Sequence, residues 1–161
     1  MTGVRILFVC LGNICRSPTA EAATREALVA AGLDDRVEID SAGIGDWHVG
    51  NPPDPRMRQA AQRVGLDLTG SARQVRPDEL GRWDLILAMD HRNRTDLAAM
   101  APDGVADRIR MFRSFDPSAS GEEVPDPYYG GAEGFTTVVE LCRAAARGLV
   151  DELATRLPDA R

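Results

Sequence analysis

Two cysteines, an arginine and a serine crowd one short stretch near the start of the sequence, V-C-L-G-N-I-C-R-S-P at positions 9–18. Cys10 closes a run of strand-forming apolar residues. Arg16 follows six positions later, where a Ser-Pro pair opens a helix. A short loop between a strand and a helix N-terminus can turn its backbone N–H groups inward around an anion. Leu11, Gly12, Asn13, Ile14 and Cys15 supply that loop, and Gly12 and Asn13 are residue types that tolerate the backbone angles it needs. Arg16 adds a planar fork matched to two oxygens of a phosphate-like group, and Ser17 offers a hydroxyl to the sulfur. Such positive surroundings favour a thiolate over a thiol. A thiolate facing a bound tetrahedral anion is a nucleophile aimed at phosphorus.

A Cys-x5-Arg spacing by itself is common, whereas the full string at a strand-to-helix junction is specific. Zinc is a poor fit to Cys10 and Cys15, which have no nearby His or third Cys, so neither metal nor cofactor is expected. Cys142, on an apolar helix face, reads as a buried structural thiol. The chemistry lacks one part so far. An aryl or alkyl oxygen leaves more readily if it is protonated as the P–O bond breaks, and the acid must approach from outside the loop. Asp126 lies in a Pro- and Gly-rich segment at 115–131, between Pro125 and Pro127. Loops of that length in compact domains tend to be functional, although an Asp between prolines also makes turns.

These residues need a scaffold that brings two distant loops together. Residues 4–10 read as a central parallel strand, nearly all apolar. Ser17 is expected to cap the first helix with Pro18 in its first turn, and Gly32 to stop it; Ala20, Ala23, Ala27, Leu28 and Ala31 form its apolar face. Residues 36–41 alternate as a wetter strand at a sheet edge. Asp54 and Pro55 open a second helix with a stripe of Met57, Ala60, Ala61 and Val64, ended by Gly65. Strands follow at 84–89 and 108–112, with a short helix at 93–100 between them. The last helix runs from about Phe135 to Leu157, with Phe135, Val138, Val139, Cys142, Ala146, Leu149, Val150, Leu153 and Leu157 on its core face. No internal repeat, linker or low-complexity tract interrupts the pattern. It predicts one doubly wound α/β domain over 1–161, a four-stranded parallel sheet flanked by helices on both faces. The ligand belongs at the carboxyl ends of the strands.

Composition sets the outer bounds. The chain has 161 residues, enough for a full core without disulfides or structural metal. Its net charge of −6 argues against nucleic acid or an anionic membrane surface as the main partner. All 19 basic residues are arginine, so any anion site must use arginine or backbone N–H groups. Three cysteines and no secretory pattern in M-T-G-V-R-I-L-F-V fit a reducing cytoplasm. No stretch approaches the length of a membrane span.

With these motifs in hand, the chain resembles the low-molecular-weight protein tyrosine phosphatases. The resemblance rests on the cysteine loop and runs through S-A-G-I-G-D-W-H-V-G (41–50), A-R-Q-V (72–75), L-A-M-D (87–90) and D-P-Y-Y-G (126–130). It is to bacterial members, and the lysine-free composition fits a GC-rich, actinobacterial genome. The resemblance implies a metal-free phosphomonoesterase acting through a phosphocysteine, with phosphotyrosine-containing proteins as substrates and inorganic phosphate as product and inhibitor. A bacterial tyrosine kinase or host proteins are the substrate classes it suggests. Export without a signal peptide, and the oligomeric state, stay open.

By motif, Cys10 is the nucleophile, Arg16 the phosphate clamp, Ser17 the hydrogen-bond donor to the sulfur, and Asp126 the general acid and base. Asn13 would hold the loop, with Ser41 as partner. Trp47, Tyr128 and Tyr129 would wall a slot for an aryl ring, the alternative being aromatics folded onto the surface. Cys15 would protect Cys10 from irreversible oxidation, the alternative being a small apolar filler. His48 reads as structural. Asp90 either orients loop residues or caps the next helix. Many family members carry a His where this chain has Gly70, so support for Asn13 must come from Ser41 or water.

Two other functions would also use a phosphate cradle of this kind. A thiol-coupled arsenate reductase on the same fold relays a disulfide through further cysteines near 80–90, and this chain has none between Cys15 and Cys142. A phosphocysteine carrier or a non-catalytic phosphate-binding module needs a cradle but no acid, so Arg16 together with Asp126 favours catalysis.

Overall fold

The computed structural model describes residues 3–157. The first two residues of the stretch read for a leader, and the last four of the 1–161 domain, lie outside the described residues. Eight main elements follow one another: β1 (Val4–Cys10), α1 (Arg16–Ala31), β2 (Val37–Gly43), α2 (Pro55–Gln62), β3 (Leu85–Ala88), α3 (His91–Met100), β4 (Ile109–Met111) and α4 (Ala132–Arg156). The strands form one sheet in the order β2-β1-β3-β4. Every pairing is parallel. This is the doubly wound α/β architecture the alternating pattern predicts.

β1 is apolar throughout because both its faces are covered. Ile6, Phe8 and Cys10 point into a core shared with α1, α2 and α4. Leu7 and Val9 point into a second core with Val75, Leu80, Trp83 and Leu97. Phe8 meets Phe112 edge-on, with ring centroids 5.3 Å apart. β2 lies at a sheet edge, as its alternation predicts, with Glu38 exposed. α4 carries a mid-helix glycine, Gly148, at a cost of about 1 kcal/mol relative to Ala. The reason is close approach: a Cβ there would overlap the Phe115 carbonyl. The root of the long loop thus seats directly on α4.

Several boundaries differ from the sequence reading, each for a local reason. Ser17 does not cap α1. The N-cap is Cys15, without a side-chain cap bond, because the Ser17 hydroxyl is engaged with Cys10 and Asn13. β2 runs on to Gly43, since Cys10 pairs with Gly43 and the Gly43 N–H donates to the Arg73 carbonyl at 2.9 Å. β4 is shorter than expected, held between 3-10 turns at Ala106–Arg108 and Phe112–Phe115. α4 begins at Ala132, ahead of Phe135. Val64 and Ala31 are exposed rather than on core faces, because α2 has already ended at Gln62 and α1 has reached its last turn.

Candidate active site

The sulfur of Cys10 sits where β1 ends, and the loop after it closes around that point. Asn13 has φ of 59°, the one positive value on a non-glycine residue among the described residues. This left-handed turn aims the Asn13 N–H at Cys10 Sγ, 3.3 Å away. The Ser17 N–H also donates to Sγ, at 3.4 Å. Ser17 Oγ lies 3.1 Å from Sγ and accepts from Asn13 Nδ2 at 2.8 Å. Its own proton is therefore free for the sulfur, which is closer than the other acceptor in reach, the Ala42 carbonyl at 3.5 Å. Two N–H groups and a hydroxyl thus converge on the sulfur.

The loop's carbonyls are tied on the outside. Those of Cys10 and Leu11 accept from the N–H groups of Ile44 and Gly45, both at 2.9 Å. That of Ile14 accepts from Asp54 N–H at 2.9 Å, and that of Cys15 from the Thr19 hydroxyl at 2.8 Å. In a trans peptide the N–H points opposite to the C=O. The N–H groups of Leu11, Gly12, Cys15 and Arg16 are thereby turned inward, as an oxyanion cradle requires. Gly43 makes room for this, because a Cβ there would lie 3.0 Å from Leu11 O.

Asn13 is the brace of the loop. Its Nδ2 donates to Ser17 and, at 3.0 Å, to Ser41 Oγ. Its Oδ1 accepts the Arg73 N–H at 3.0 Å. Ser41 thus supplies the support expected of it, and Arg73 is a supporter the sequence reading missed. Arg73 is itself clamped by Asp40 and, bidentately at 2.8 Å, by Glu79. Burial alone would push the Glu79 carboxyl up; the Arg73 fork, the Arg76 N–H and the Trp83 indole outweigh it and hold it below the usual value. Gly70 has φ of +84° with open space around it, and Asn13 is fully bonded without a side chain there.

Arg16 is 2% exposed. Its Nη1 donates to Asp90 Oδ2 at 2.7 Å and to the Val124 carbonyl at 3.1 Å. One end of the guanidinium is thus an anchor, which leaves the Nε–Nη2 edge of its five donors for an oxyanion. Burial disfavours the cation, but Cys10, Asp90 and Asp126 together outweigh that and keep Arg16 charged. Asp90 fills both roles weighed for it, since its Oδ1 also caps α3 through the Asn93 N–H at 2.7 Å. Asp126 Oδ2 lies 3.6 Å from Arg16 Nη2, and its Oδ1 accepts the Tyr128 N–H at 3.1 Å.

These groups line one cavity of about 360 Å³, formed by Cys10–Gly12, Ile14–Arg16, Trp47, His48, Asp126, Tyr128 and Tyr129. Cys10 forms its floor, with only 2% exposure. Asn13, Ser17 and Ser41 stand behind the loop as braces. Tyr128 is half-buried and meets Tyr129 edge-on at 5.0 Å. Trp47 and Tyr129 are 67% and 94% exposed, so they form the rim rather than the depth. Trp47 lies across Gly45, where a Cβ would run into the indole. His48, read as structural, lines the cavity with its ring 5.9 Å from that of Tyr128. The missed signal is its contact with Gly12, where a Cβ would come within 2.9 Å of the imidazole.

The sequence model of the low molecular weight phosphotyrosine protein phosphatases matches residues 5–158. The chain belongs to that family. A low molecular weight protein-tyrosine-phosphatase of Streptomyces coelicolor is 44% identical over 149 residues, 91% of each chain. A protein tyrosine phosphatase of Entamoeba histolytica, crystallised with Hepes in its active site, superposes with a TM-score of 0.93 at 35% identity, covering 96% of this chain and 99% of that one. YfkJ of Bacillus subtilis superposes with a TM-score of 0.90 at 37% identity, over 97% and 98% of the two chains. The family match at residues 5–158 takes in both loops that meet at the cavity. Among the described residues, no helix is long and apolar enough to cross a membrane.

Proposed function

We propose that this phosphatase hydrolyses phosphotyrosine and related aryl phosphates through a phosphocysteine on Cys10. The observation that carries the reading is convergence: a sulfur facing three donors, a buried arginine and a carboxylic acid share one cavity. The phosphoryl oxygens lie on the inward N–H groups of the loop and on the free edge of Arg16. Cys10 Sγ attacks phosphorus, and the P–O(aryl) bond breaks as Asp126 gives its proton to the departing oxygen. Asp126, now a carboxylate, takes a proton from a water whose oxygen attacks the phosphocysteine. The S–P bond breaks, Cys10 returns as thiolate, and inorganic phosphate leaves. The product occupies the same cradle as the substrate, so it inhibits competitively.

Substrate class follows from depth. The sulfur lies on the floor of the cavity, with Tyr128 on the wall and Trp47 at the rim. An aryl ring spans that distance and a serine side chain does not, so phosphoserine is hydrolysed slowly. The substrates are phosphotyrosine proteins, with a bacterial tyrosine kinase or host proteins as the finer candidates. The three cysteines are all unpaired, which fits work in a reducing cytoplasm. In the direct test, purified protein hydrolyses an aryl phosphate in the presence of a chelator and Cys10→Ser does not. Activity surviving in Cys10→Ser, or lost to the chelator, overturns the reading.

A further inference from the structure

Arg56 takes no part in the chemistry above, yet its side chain joins the two loops that do. Its Nε donates to Asp54 Oδ1 at 3.1 Å and its Nη2 to Asp54 Oδ2 at 2.8 Å. Asp54 is 7% exposed, and the hydrogen bond from Arg56, working against burial, holds its carboxyl below the usual range. The Asp54 N–H in turn donates to the Ile14 carbonyl of the phosphate loop at 2.9 Å. On its other side, Arg56 Cζ lies 5.3 Å from the Tyr128 ring centroid and 4.7 Å from that of Phe135. The Tyr128 N–H donates to Asp126. A continuous chain of contacts thus runs from the phosphate loop through Asp54, Arg56 and Tyr128 to Asp126.

We propose that Arg56 is a positioning residue, which sets the Tyr128 ring as a wall of the aryl slot and, through Tyr128, fixes the approach of Asp126. A guanidinium locked bidentately to a buried carboxylate is a fixed plate, not a swinging side chain. An aromatic ring on that plate is held in orientation by the attraction of cation for π-face. Lysine offers neither the fork nor the flat face. The effect is confined to substrates that carry a ring, because inorganic phosphate fills the cradle without reaching Tyr128. The inference rests on the reading of Tyr128 as a slot wall.

The test compares Arg56→Met, Tyr128→Ala and the double variant, with Arg58→Met as a control from an exposed position on the same helix. The expected result for Arg56→Met is a rise of about two- to tenfold in KM for an aryl phosphate, the scale of one such contact. Its Ki for inorganic phosphate stays within about twofold of the parent, and Arg58→Met matches the parent in both. In the Tyr128→Ala background, Arg56→Met adds no further rise, as expected of residues acting through one contact. Additive effects, or a phosphate Ki that rises along with KM, overturn the inference. So does a parent-like KM for Arg56→Met when Tyr128→Ala raises it. A parent-like KM for Tyr128→Ala overturns the slot-wall reading itself, and the inference with it.

Discussion

The phosphate loop and the acid loop meet at one cavity but are built on opposite plans. In the first, Cys10, Asn13, Arg16 and Ser17 are between 0% and 4% exposed. Asn13 alone uses both side-chain atoms on three partners. The second is fixed mainly at its root. There the Val124 N–H donates to the Met89 carbonyl, the Glu123 carbonyl accepts from Arg113, and Glu123 accepts the His91 N–H. Beyond Val124 the loop is largely exposed, with Asp126 half-open to solvent. A nucleophile and an oxyanion cradle work only when preorganised. An acid that must close on a bound ring and then release a product needs a firm root and a tip free to yield. Pro125 and Pro127 fix φ on either side of Asp126 and so restrict that freedom.

Damage to the two loops should therefore look different. Asp126→Asn is expected to cut turnover of phosphotyrosine by roughly a hundredfold, the usual scale for a positioned general acid. The loss should shrink for an aryl phosphate whose leaving group is acidic enough to depart unprotonated, while the Ki for inorganic phosphate stays put. An equal loss across leaving groups would remove Asp126 from the acid's role.

Asn13→Ala breaks the other loop. Three side-chain bonds vanish, and an alanine must hold φ of 59°, a conformation that costs a non-glycine residue about 1–2 kcal/mol. The expected loss in kcat/KM is about ten- to hundredfold, because part of the three bonds' worth, about 1 kcal/mol each, is lost as stability of the fold rather than as catalysis. It should be the same for good and poor leaving groups, and the phosphate Ki should rise with it. Dependence on leaving group in this variant would mean that the loops are not separable as described.

The phosphate loop was legible because its chemistry is local. Cysteine, glycine, asparagine and arginine all fall within the seven positions 10–16, and a strand-to-helix junction allows few shapes around them. Ser17 shows the limit of such reading. Its type and place suit a helix cap, but the sulfur and Asn13 compete for its hydroxyl and win. Arg73, Glu79 and Arg56 were not legible, because their roles depend on contacts between elements far apart in sequence. No spacing rule announces that the arginine of A-R-Q-V will offer its N–H to an asparagine 60 positions earlier. The place of His48 on the cavity wall was hidden for a similar reason, since its ring packs over a glycine in another loop.

Cys15 tests how closed the rigid loop is. It is 5% exposed, and burial, with Asp54 and Cys10 nearby, pushes its thiol up, so it stays protonated at neutral pH. It lines the same cavity as Cys10. Peroxide takes two electrons from the Cys10 thiolate to give a sulfenic acid. The Cys15 thiol can then form an S–S bond to it with loss of water, which blocks further oxidation. The expected outcome is reversible inactivation, with dithiothreitol restoring the parent and Cys142→Ala. Cys15→Ala should recover little of its own starting activity after the same treatment. Full recovery in that variant would leave Cys15 as packing and the loop too stiff to bring the sulfurs together.

The smallest expected effect lies behind the rigid loop, at Glu79. Its carboxylate clamps Arg73, whose N–H braces Asn13, so it supports the cradle at one remove. Because partners more than offset burial, its folded pKa lies below the unfolded value. A group depressed in this way stabilises the fold above its unfolded pKa, about 4.3 for Glu, and that contribution is lost as pH falls through the folded value. At pH 7 Glu79→Gln should lower Tm by about 3–6 °C, the shift for about 1.5 kcal/mol in a domain of this size. The gap between parent and variant should close only as the pH falls through the depressed folded value, below the ordinary carboxylate range, where the parent's carboxyl also takes up a proton. Turnover should follow only weakly, because Ser41 and Ser17 still hold Asn13. A gap that persists unchanged at low pH would mean that Glu79 acts by packing and not by charge. The brace behind the phosphate loop would then owe nothing to the ion pair.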